Sequence, residues 1–135
     1  MEKTFNVKIN NDKNTVWKVL SDPSFVLPRL FPPIKGVSVQ GTSYDCEGKY
    51  LLMKFFVHGT VLVKEDIVYT FYLSSGGGKG NGRLTFKVSD GEVEVTLKYE
   101  GWMEMVSGTI SVGRWFSEFA EKLDDEITRY RKVKI

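Results

Sequence analysis

The chain has 135 residues, a formal net charge of +2 and a hydrophobic fraction of 41%, values typical of one globular domain with enough apolar sequence for a core. Its basic residues are spread out except in the terminal "RYRKVKI", so we do not expect it to bind nucleic acid. The single cysteine, Cys46, excludes an intrachain disulfide and fits a cytoplasmic location. The sequence shows no signal peptide, and no apolar run approaches the roughly 20 residues of a membrane helix, so we expect no integral membrane segment.

The first third of the chain predicts a strand, two short helices and a second strand. "TFNVKIN" alternates apolar and polar residues, as a half-buried strand does. A polar residue of "NNDKN" would cap the helix that follows, and Asp22-Pro23 would stop it because proline cannot donate the next backbone hydrogen bond. A second short helix is predicted over about residues 24–30, ended by Pro32 and Pro33, and "IKGVSVQG" is the next predicted strand.

From there to about Gly101 the pattern is β. "KYLLMKFFV" and "VLVKEDIVYTFYL" are predicted strands joined by a tight turn at "HGT", and "SSGGGKGNG" is a predicted hairpin loop before two last strands. In the first of these strands the inward set is predicted to be Leu51, Met53, Phe55 and Val57. If the second strand is regular, its inward set is Val61, Val63, Glu65, Ile67, Tyr69, Phe71 and Leu73. The last strand alternates most cleanly, which predicts a sheet with one buried and one wet face.

The segment from about Met105 to Arg131 changes period. Its apolar residues recur every three or four positions and form one stripe along a helix, made of Val112, Trp115, Phe116, Phe119, Leu123, Ile127 and Tyr130. Such a helix buries its stripe only against the concave face of the sheet. We therefore predict one long C-terminal helix lying across a curved sheet.

This order of elements is that of the helix-grip fold. "NTVWKVLSDPSFVLPRLFPPIKGVSVQG" resembles the opening of the START and pollen-allergen-like (SRPBCC) superfamily. "FFVHGTVLVKE" and "GNGRLTFKVSDGEVEVTLKYEG" are similar to the later strands of carbon monoxide dehydrogenase G-subunit-like proteins and small archaeal relatives. The resemblance covers nearly the whole chain and implies an α+β helix-grip fold, a single domain over residues 1–135 in which an antiparallel sheet of six or seven strands wraps around the long helix. It carries over no catalytic residue.

The resemblance also implies a cavity between the helix and the sheet, where members of the superfamily commonly hold a hydrophobic ligand that enters near the two short helices. "SDPSFVLPRLFPP" would form its mouth, or else its apolar residues plug the end of the core. The predicted ligand-binding residues are Phe25, Leu30, Phe31, Met53, Phe55, Glu65, Tyr69, Phe71, Phe86, Leu97, Tyr99, Trp115 and Phe119.

Three polar residues of this set have two interpretations each. If its strand is regular, Glu65 points into the cavity, where an unpartnered carboxylate is costly and indicates function; a β-bulge at "KED" would instead turn it outward. Tyr69 and Tyr99 either offer hydroxyls to a ligand head group or are ordinary core aromatics.

Residues that usually carry catalysis are few. His58 lies in a predicted turn without an orienting group, and Cys46 has no histidine beside it, so a surface histidine and a buried filler are the favoured interpretations. "GGGKGNG" lacks the Gly-Lys-Ser/Thr ending of a phosphate loop and precedes a strand, which favours a flexible hairpin. Since no His/Cys/Asp/Glu cluster has metal-ligand spacing, we expect no metal and no cofactor.

Three functional classes remain. The leading one is a non-catalytic carrier or sensor of a hydrophobic small molecule, lipid or isoprenoid-like. The second is a polyketide cyclase or aromatase-like enzyme, which the same fold hosts but which needs more acid-base groups than the predicted inner faces contain. The third is an accessory protein of a partner complex or a membrane, marked by an exposed apolar surface outside the cavity.

The outer face of the predicted sheet carries unusual apolar residues. If the two long strands pair about His58-Gly59, one side of the hairpin exposes Tyr50, Leu52, Phe56, Leu62, Val68 and Tyr72. Monomers seldom expose such a patch. We therefore predict a homodimer through the outer sheet face, the alternative being scattered surface aromatics on a monomer.

Overall fold

Seven antiparallel strands and four helices make up residues 1–76, 78–102 and 111–134, which the computed structural model describes. The elements are β1 (Glu2–Lys8), α1 (Lys13–Leu20), α2 (Pro23–Leu30), β2 (Ile34–Gln40), β3 (Ser43–Tyr50), β4 (Met53–Val63), β5 (Ile67–Ser75), β6 (Gly78–Ser89), β7 (Glu92–Gly101), α3 (Val112–Glu121) and α4 (Leu123–Lys134). The strands form one sheet in the order β1-β7-β6-β5-β4-β3-β2. The predicted α+β helix-grip fold, with two short helices after strand one, is confirmed.

The two short helices begin at aspartate caps. The Asp12 carboxylate accepts a hydrogen bond of 3.1 Å from the backbone N–H of Thr15, and the Asp22 carboxylate accepts one of 2.9 Å from Ser24. Asp22 is followed by Pro23 at the first helical position, where the missing N–H costs nothing. Asp22 and Pro23 thus separate α1 from α2 where the sequence predicted a break.

The C-terminal helix differs from the predicted single segment. Residues 105–110 lie outside the described residues, and Lys122 (φ −98°, ψ 2°) separates α3 from α4. Helical hydrogen bonding nevertheless passes through this residue, because its carbonyl accepts the N–H of Glu126 at 3.0 Å. The predicted stripe is buried from Val112 to Ile127. None of the helices in the described ranges is long and apolar enough to cross a membrane.

The predicted hairpin turn at His58-Gly59 is wrong. Both residues lie in the middle of β4, where His58 pairs with Asp45 and Gly59 with Tyr44 of β3. The chain reverses instead at Leu51-Leu52 and at residues 64–66. Alternation of buried and exposed residues continues through "FFVHGTV", which is why the segment remains a strand.

The turn between β3 and β4 is made of two leucines with positive φ, 48° at Leu51 and 71° at Leu52. Asn-Gly is the pair favoured where both central residues have positive φ, and a residue other than glycine in this region costs about 1–3 kcal/mol. Inward placement of Leu51 and Met53 is therefore wrong: 75% and 40% of their surfaces are exposed. Val63, at the other end of β4, is also exposed rather than inward.

Glycines on the inner face of the sheet make room for aromatic rings. A Cβ on Gly59 would lie 1.9 Å from the Thr70 carbonyl oxygen and 2.8 Å from the Tyr44 hydroxyl, and a Cβ on Gly82 would lie 2.5 Å from the Phe71 ring. The predicted loop "SSGGGKGNG" is shorter than expected, because β5 continues to Ser75 and β6 begins at Gly78. Gly77 lies outside the described residues. These glycines are places of close approach rather than flexibility.

We expect Gly59→Ala to lower the free energy of unfolding by about 1–3 kcal/mol, because backbone and Tyr44 must move to admit the Cβ. Gly36→Ala is the matched control, since no atom lies within 4 Å of its added Cβ and its stability should change by less than about 0.5 kcal/mol. Urea unfolding of both variants measures the difference, and equal midpoints would contradict this account of the glycines.

Candidate ligand-binding site

Apart from Met53 and Glu65, the predicted ligand-binding residues lie in one buried cluster between the sheet and the helices. The members of this cluster are at most 7% exposed: Phe25, Leu30, Phe31, Phe55, Tyr69, Phe71, Phe86, Leu97, Tyr99, Trp115 and Phe119. Strand and helix periodicity brings most of them together at inward positions, and Phe31 joins them as the residue that ends α2. Whether a ligand contacts them remains a prediction.

Glu65 lies outside this cluster. It is exposed in the turn between β4 and β5, which is closed by a 3.1 Å hydrogen bond from the N–H of Lys64 to the carbonyl of Asp66. The long strand is therefore not regular, and the inward orientation is wrong. The outward alternative describes its position, although the cause is a chain reversal rather than a β-bulge.

Phe31 connects α2, α3 and the sheet. It ends α2 as its C-cap, is completely buried, and its ring centroid lies 5.4 Å from that of Phe71, 6.1 Å from Trp115 and 6.5 Å from Phe55. The contacts with Phe71 and Trp115 are edge-to-face, a favourable arrangement for aromatic pairs. The predicted mouth segment thus sends one ring deep into the core.

The aromatic contacts continue toward the other end of the sheet. Phe86 lies 6.1 Å from both Tyr69 and Phe119, and Phe71 stacks on Tyr99 at 6.0 Å. Side chains therefore pack against one another through the interior. This arrangement fits the alternative in which the mouth residues plug the end of the core.

The hydroxyls of the inward tyrosines are bonded to the backbone. Tyr69 donates to the Leu20 carbonyl at 2.8 Å, Tyr44 donates to the Thr70 carbonyl at 2.9 Å, and Tyr99 donates to the carbonyl of Trp102. Burial raises the pKa of Tyr69 and Tyr44 far above the usual value, so both remain neutral. Among the described residues no buried side-chain nitrogen or oxygen lacks a hydrogen-bond partner.

A groove opens to the surface between α2 and the C-terminal helices. It has a volume of about 220 Å³ and is lined by Pro28, Arg29, Pro32, Trp115, Glu118, Phe119, Lys122, Leu123 and Glu126. Its apolar floor includes Trp115 and Phe119, which also belong to the buried cluster. We call this feature the α2 groove; it lies where the sequence predicted a mouth.

The sequence missed several residues of the α2 groove. Pro28, Arg29, Pro32 and Glu126 line the groove but were not among the predicted ligand-binding residues. Proline inside a short apolar helix was the available signal, because such a helix exposes a rigid apolar surface.

The Arg29 side chain contacts three residues at one wall of the α2 groove. The Arg29 guanidinium lies 4.2 Å from the centre of the Phe25 ring and 5.4 Å from that of Tyr130, and its Nε is 3.3 Å from Glu126 Oε2. The Tyr130 hydroxyl donates to Asp22 Oδ2 at 2.6 Å. Burial, followed by this hydrogen bond, raises the pKa of Tyr130 to about 12. These contacts join α2 to α4.

The two residues considered for catalysis lie away from the groove. The Cys46 thiol donates to the Val57 carbonyl at 3.5 Å, and burial, with a smaller contribution from Asp45, raises its pKa to about 12. It is therefore protonated at neutral pH and a poor nucleophile. His58 is exposed on the outer face and stacks on Tyr72 at 5.6 Å. The described part of the chain holds no cluster of acidic, histidine or cysteine residues suited to a metal.

The outer sheet face exposes some of the predicted apolar residues. Phe56, Leu62 and Tyr72 are 46%, 51% and 52% exposed, but His58, not Phe56, lies opposite Tyr72. Tyr50 does not belong to this face, because its ring packs 5.8 Å from Trp115. Leu52 lies in the β3–β4 turn. The outer patch is therefore smaller than expected.

Comparison with known proteins places this fold. A protein-family model matches residues 1–135, whereas no curated protein matches the sequence. A hypothetical protein from Sulfolobus tokodaii has a TM-score of 0.71 and 25% identity, with 98% of this chain and 99% of that chain covered. A START superfamily protein from Mycobacterium smegmatis has a TM-score of 0.63 and 14% identity, with 96% and 97% covered.

A plant protein shares the same architecture. Ginseng major latex-like protein 151 from Panax ginseng has a TM-score of 0.56 and 11% identity, with 93% of this chain and 95% of that chain covered. Likeness at such low identity concerns the fold. Together with the family model that matches residues 1–135, it is consistent with the fold of the START and pollen-allergen-like superfamily.

Proposed function

We propose that the protein binds a hydrophobic small molecule, lipid or isoprenoid-like, without chemically changing it. The observation that carries this proposal is the α2 groove, whose apolar floor is formed by residues of the buried aromatic cluster. A ligand in the groove would contact Trp115, and the Trp115 ring packs directly on Phe31 in the interior. The fold shared with a START superfamily protein supports the same class of ligand.

The size of the groove indicates how binding would proceed. Its volume of about 220 Å³ is smaller than the roughly 300–1,000 Å³ of usual small-molecule pockets. A ligand that needs a pocket of the usual volume must therefore gain space from the interior by moving side chains. Phe31 is the residue best placed to move, because it ends α2 and borders both the groove floor and the sheet.

The polyketide cyclase or aromatase alternative is less well supported. The inward tyrosine hydroxyls donate to backbone carbonyls, the Cys46 thiol has a raised pKa, and His58 is on the opposite face of the sheet. General acid-base catalysis needs a group within hydrogen-bond reach of the substrate and with a pKa near the working pH.

The proposal of a hydrophobic ligand carrier also includes a cytoplasmic location and a homodimer that forms through the outer sheet face.

We expect Phe31→Leu to bind an apolar fluorescent probe such as a labelled fatty acid more tightly than the unchanged protein, because the smaller side chain opens the groove to the interior. Phe31→Ala should act in the same direction but cost about 3–5 kcal/mol of stability. The matched control is Phe116→Leu: Phe116 is equally buried on α3 but packs against Phe5 of β1. Its probe affinity should not rise.

Native mass spectrometry of the purified protein, before and after organic extraction, identifies any bound molecule. We expect an apolar species that extraction removes. If no such species is detected, and neither the folded wild type nor folded Phe31→Leu binds probes saturably, the proposed function is wrong.

The homodimer has its own test in light scattering at micromolar concentration. Phe56→Ser and Tyr72→Ser should shift a dimer toward monomer, because both side chains are about half exposed on the outer face. Val133→Ser, which removes an exposed apolar residue of α4, should leave the mass unchanged. A monomeric wild type would rule the dimer out without affecting the ligand proposal.

A further inference from the structure

The tip of the β3–β4 hairpin exposes two large apolar side chains. Leu51 and Leu52 are 75% and 88% exposed, and both hold a positive φ that leucine rarely adopts. Residues at strained backbone positions are frequent at sites of binding. Here the strained turn presents apolar side chains to solvent. Packing within the domain does not compensate for the strain, so we look for a binding partner that does.

Lysines surround this tip. Lys35, Lys49 and Lys54 are exposed or half-exposed and line, with Leu52, a surface concavity of about 510 Å³. Glu47 is the acidic residue of the same concavity. Lys49 lies directly opposite Lys54 in the strand register, where like charges repel. The described residues give none of the three lysines an ion-pair partner.

We propose that this leucine tip, Leu51 and Leu52 with Lys35, Lys49 and Lys54, docks on the surface of an anionic lipid bilayer. The leucines would enter the boundary between head groups and acyl chains, and the lysines would bind the head-group phosphates. An anionic surface also relieves the repulsion between Lys49 and Lys54.

The shape of the tip favours a bilayer over a protein partner. Stable protein interfaces bury about 800 Å² on each side and are built around a packed apolar centre. Two exposed leucines at a turn, with three lysines beside them, provide much less apolar area. A bilayer surface accepts such a protruding pair because it is soft and carries a high density of negative charge.

The tip is connected to the α2 groove through the residue before it. The Tyr50 ring packs edge-on against Trp115 at 5.8 Å, and Trp115 forms part of the groove floor. Docking would therefore hold the groove close to the bilayer. The docking proposal does not depend on ligand binding and can be tested without a ligand.

Co-sedimentation with vesicles tests the docking. The unchanged protein should bind vesicles of equal parts phosphatidylglycerol and phosphatidylcholine, and bind vesicles of phosphatidylcholine alone far less. Each of Lys35→Gln, Lys49→Gln and Lys54→Gln should weaken binding by roughly fivefold. High salt should weaken it as well, because the head-group attraction is screened.

The decisive variant combines Leu51→Asn with Leu52→Gly, which installs the pair favoured in this turn. We expect its melting temperature to rise while its affinity for anionic vesicles falls by roughly tenfold or more. A residue with only a structural role would not separate these two readouts. Val133→Asn, at another exposed apolar position, is the control and should bind vesicles like wild type.

Three results would overturn the proposal. One is a wild type that does not bind the anionic vesicles, and another is a leucine double variant that binds them as well as wild type. The third is self-association that depends on the two leucines without vesicle binding, which would make a second copy of the chain the occupant. Failure of ligand binding in the separate probe assay leaves all three readouts unchanged.

Discussion

The packing of aromatic rings across inward glycines sets the dimensions of this domain. A Cβ on Gly59 would collide with the Thr70 carbonyl oxygen and the Tyr44 hydroxyl, and a Cβ on Gly82 would collide with the Phe71 ring. Phe71 in turn packs against Phe31, and Phe31 packs against Trp115 of α3. Protein interiors are close-packed, so a change of one methyl group at these glycines is felt by the helix layer. The site, the groove and the core therefore depend on the same contacts.

The two ends of α2 are held by different forces, and this difference determines where a ligand could enter. The outer side is fixed by Arg29, which stacks on Phe25 and pairs with Glu126. The inner end is held through Phe31 by aromatic contacts, each worth about 0.5–1.5 kcal/mol beyond area burial. An apolar ligand can replace ring contacts with its own, but it cannot replace the charged contacts of Arg29. Movement of Phe31 is thus the less costly route into the interior.

The sequence predicted the elements that have one wet and one buried face. The stripe from Val112 to Ile127 and the alternation of β7 were confirmed because burial imposes their periods. The hairpin at His58-Gly59 failed because glycine was interpreted as a turn residue, whereas Gly59 makes room for Tyr44. The aromatic members of the candidate site followed from the same periodicity. The α2 groove followed only in part: Pro28 and Pro32 belong to the predicted mouth segment, whereas the wall from α3 and α4 arises from long-range packing that no local pattern encodes.

Conflicts between local preference and structure have two origins here, and they can be separated. Gly59 and Gly82 are unfavourable strand residues, yet the close approach of the Thr70 backbone and Tyr44 hydroxyl to Gly59, and of the Phe71 ring to Gly82, explains their presence. Leu51 and Leu52 are unfavourable turn residues, and their exposure means that no packing within the domain compensates for them. A conflict that an internal contact resolves is structural. A conflict that leaves apolar side chains and a cluster of lysines in solvent is resolved only by a binding partner. For this reason the hairpin tip at Leu51 and Leu52 indicates an interaction outside the fold, whereas Gly59 and Gly82 do not.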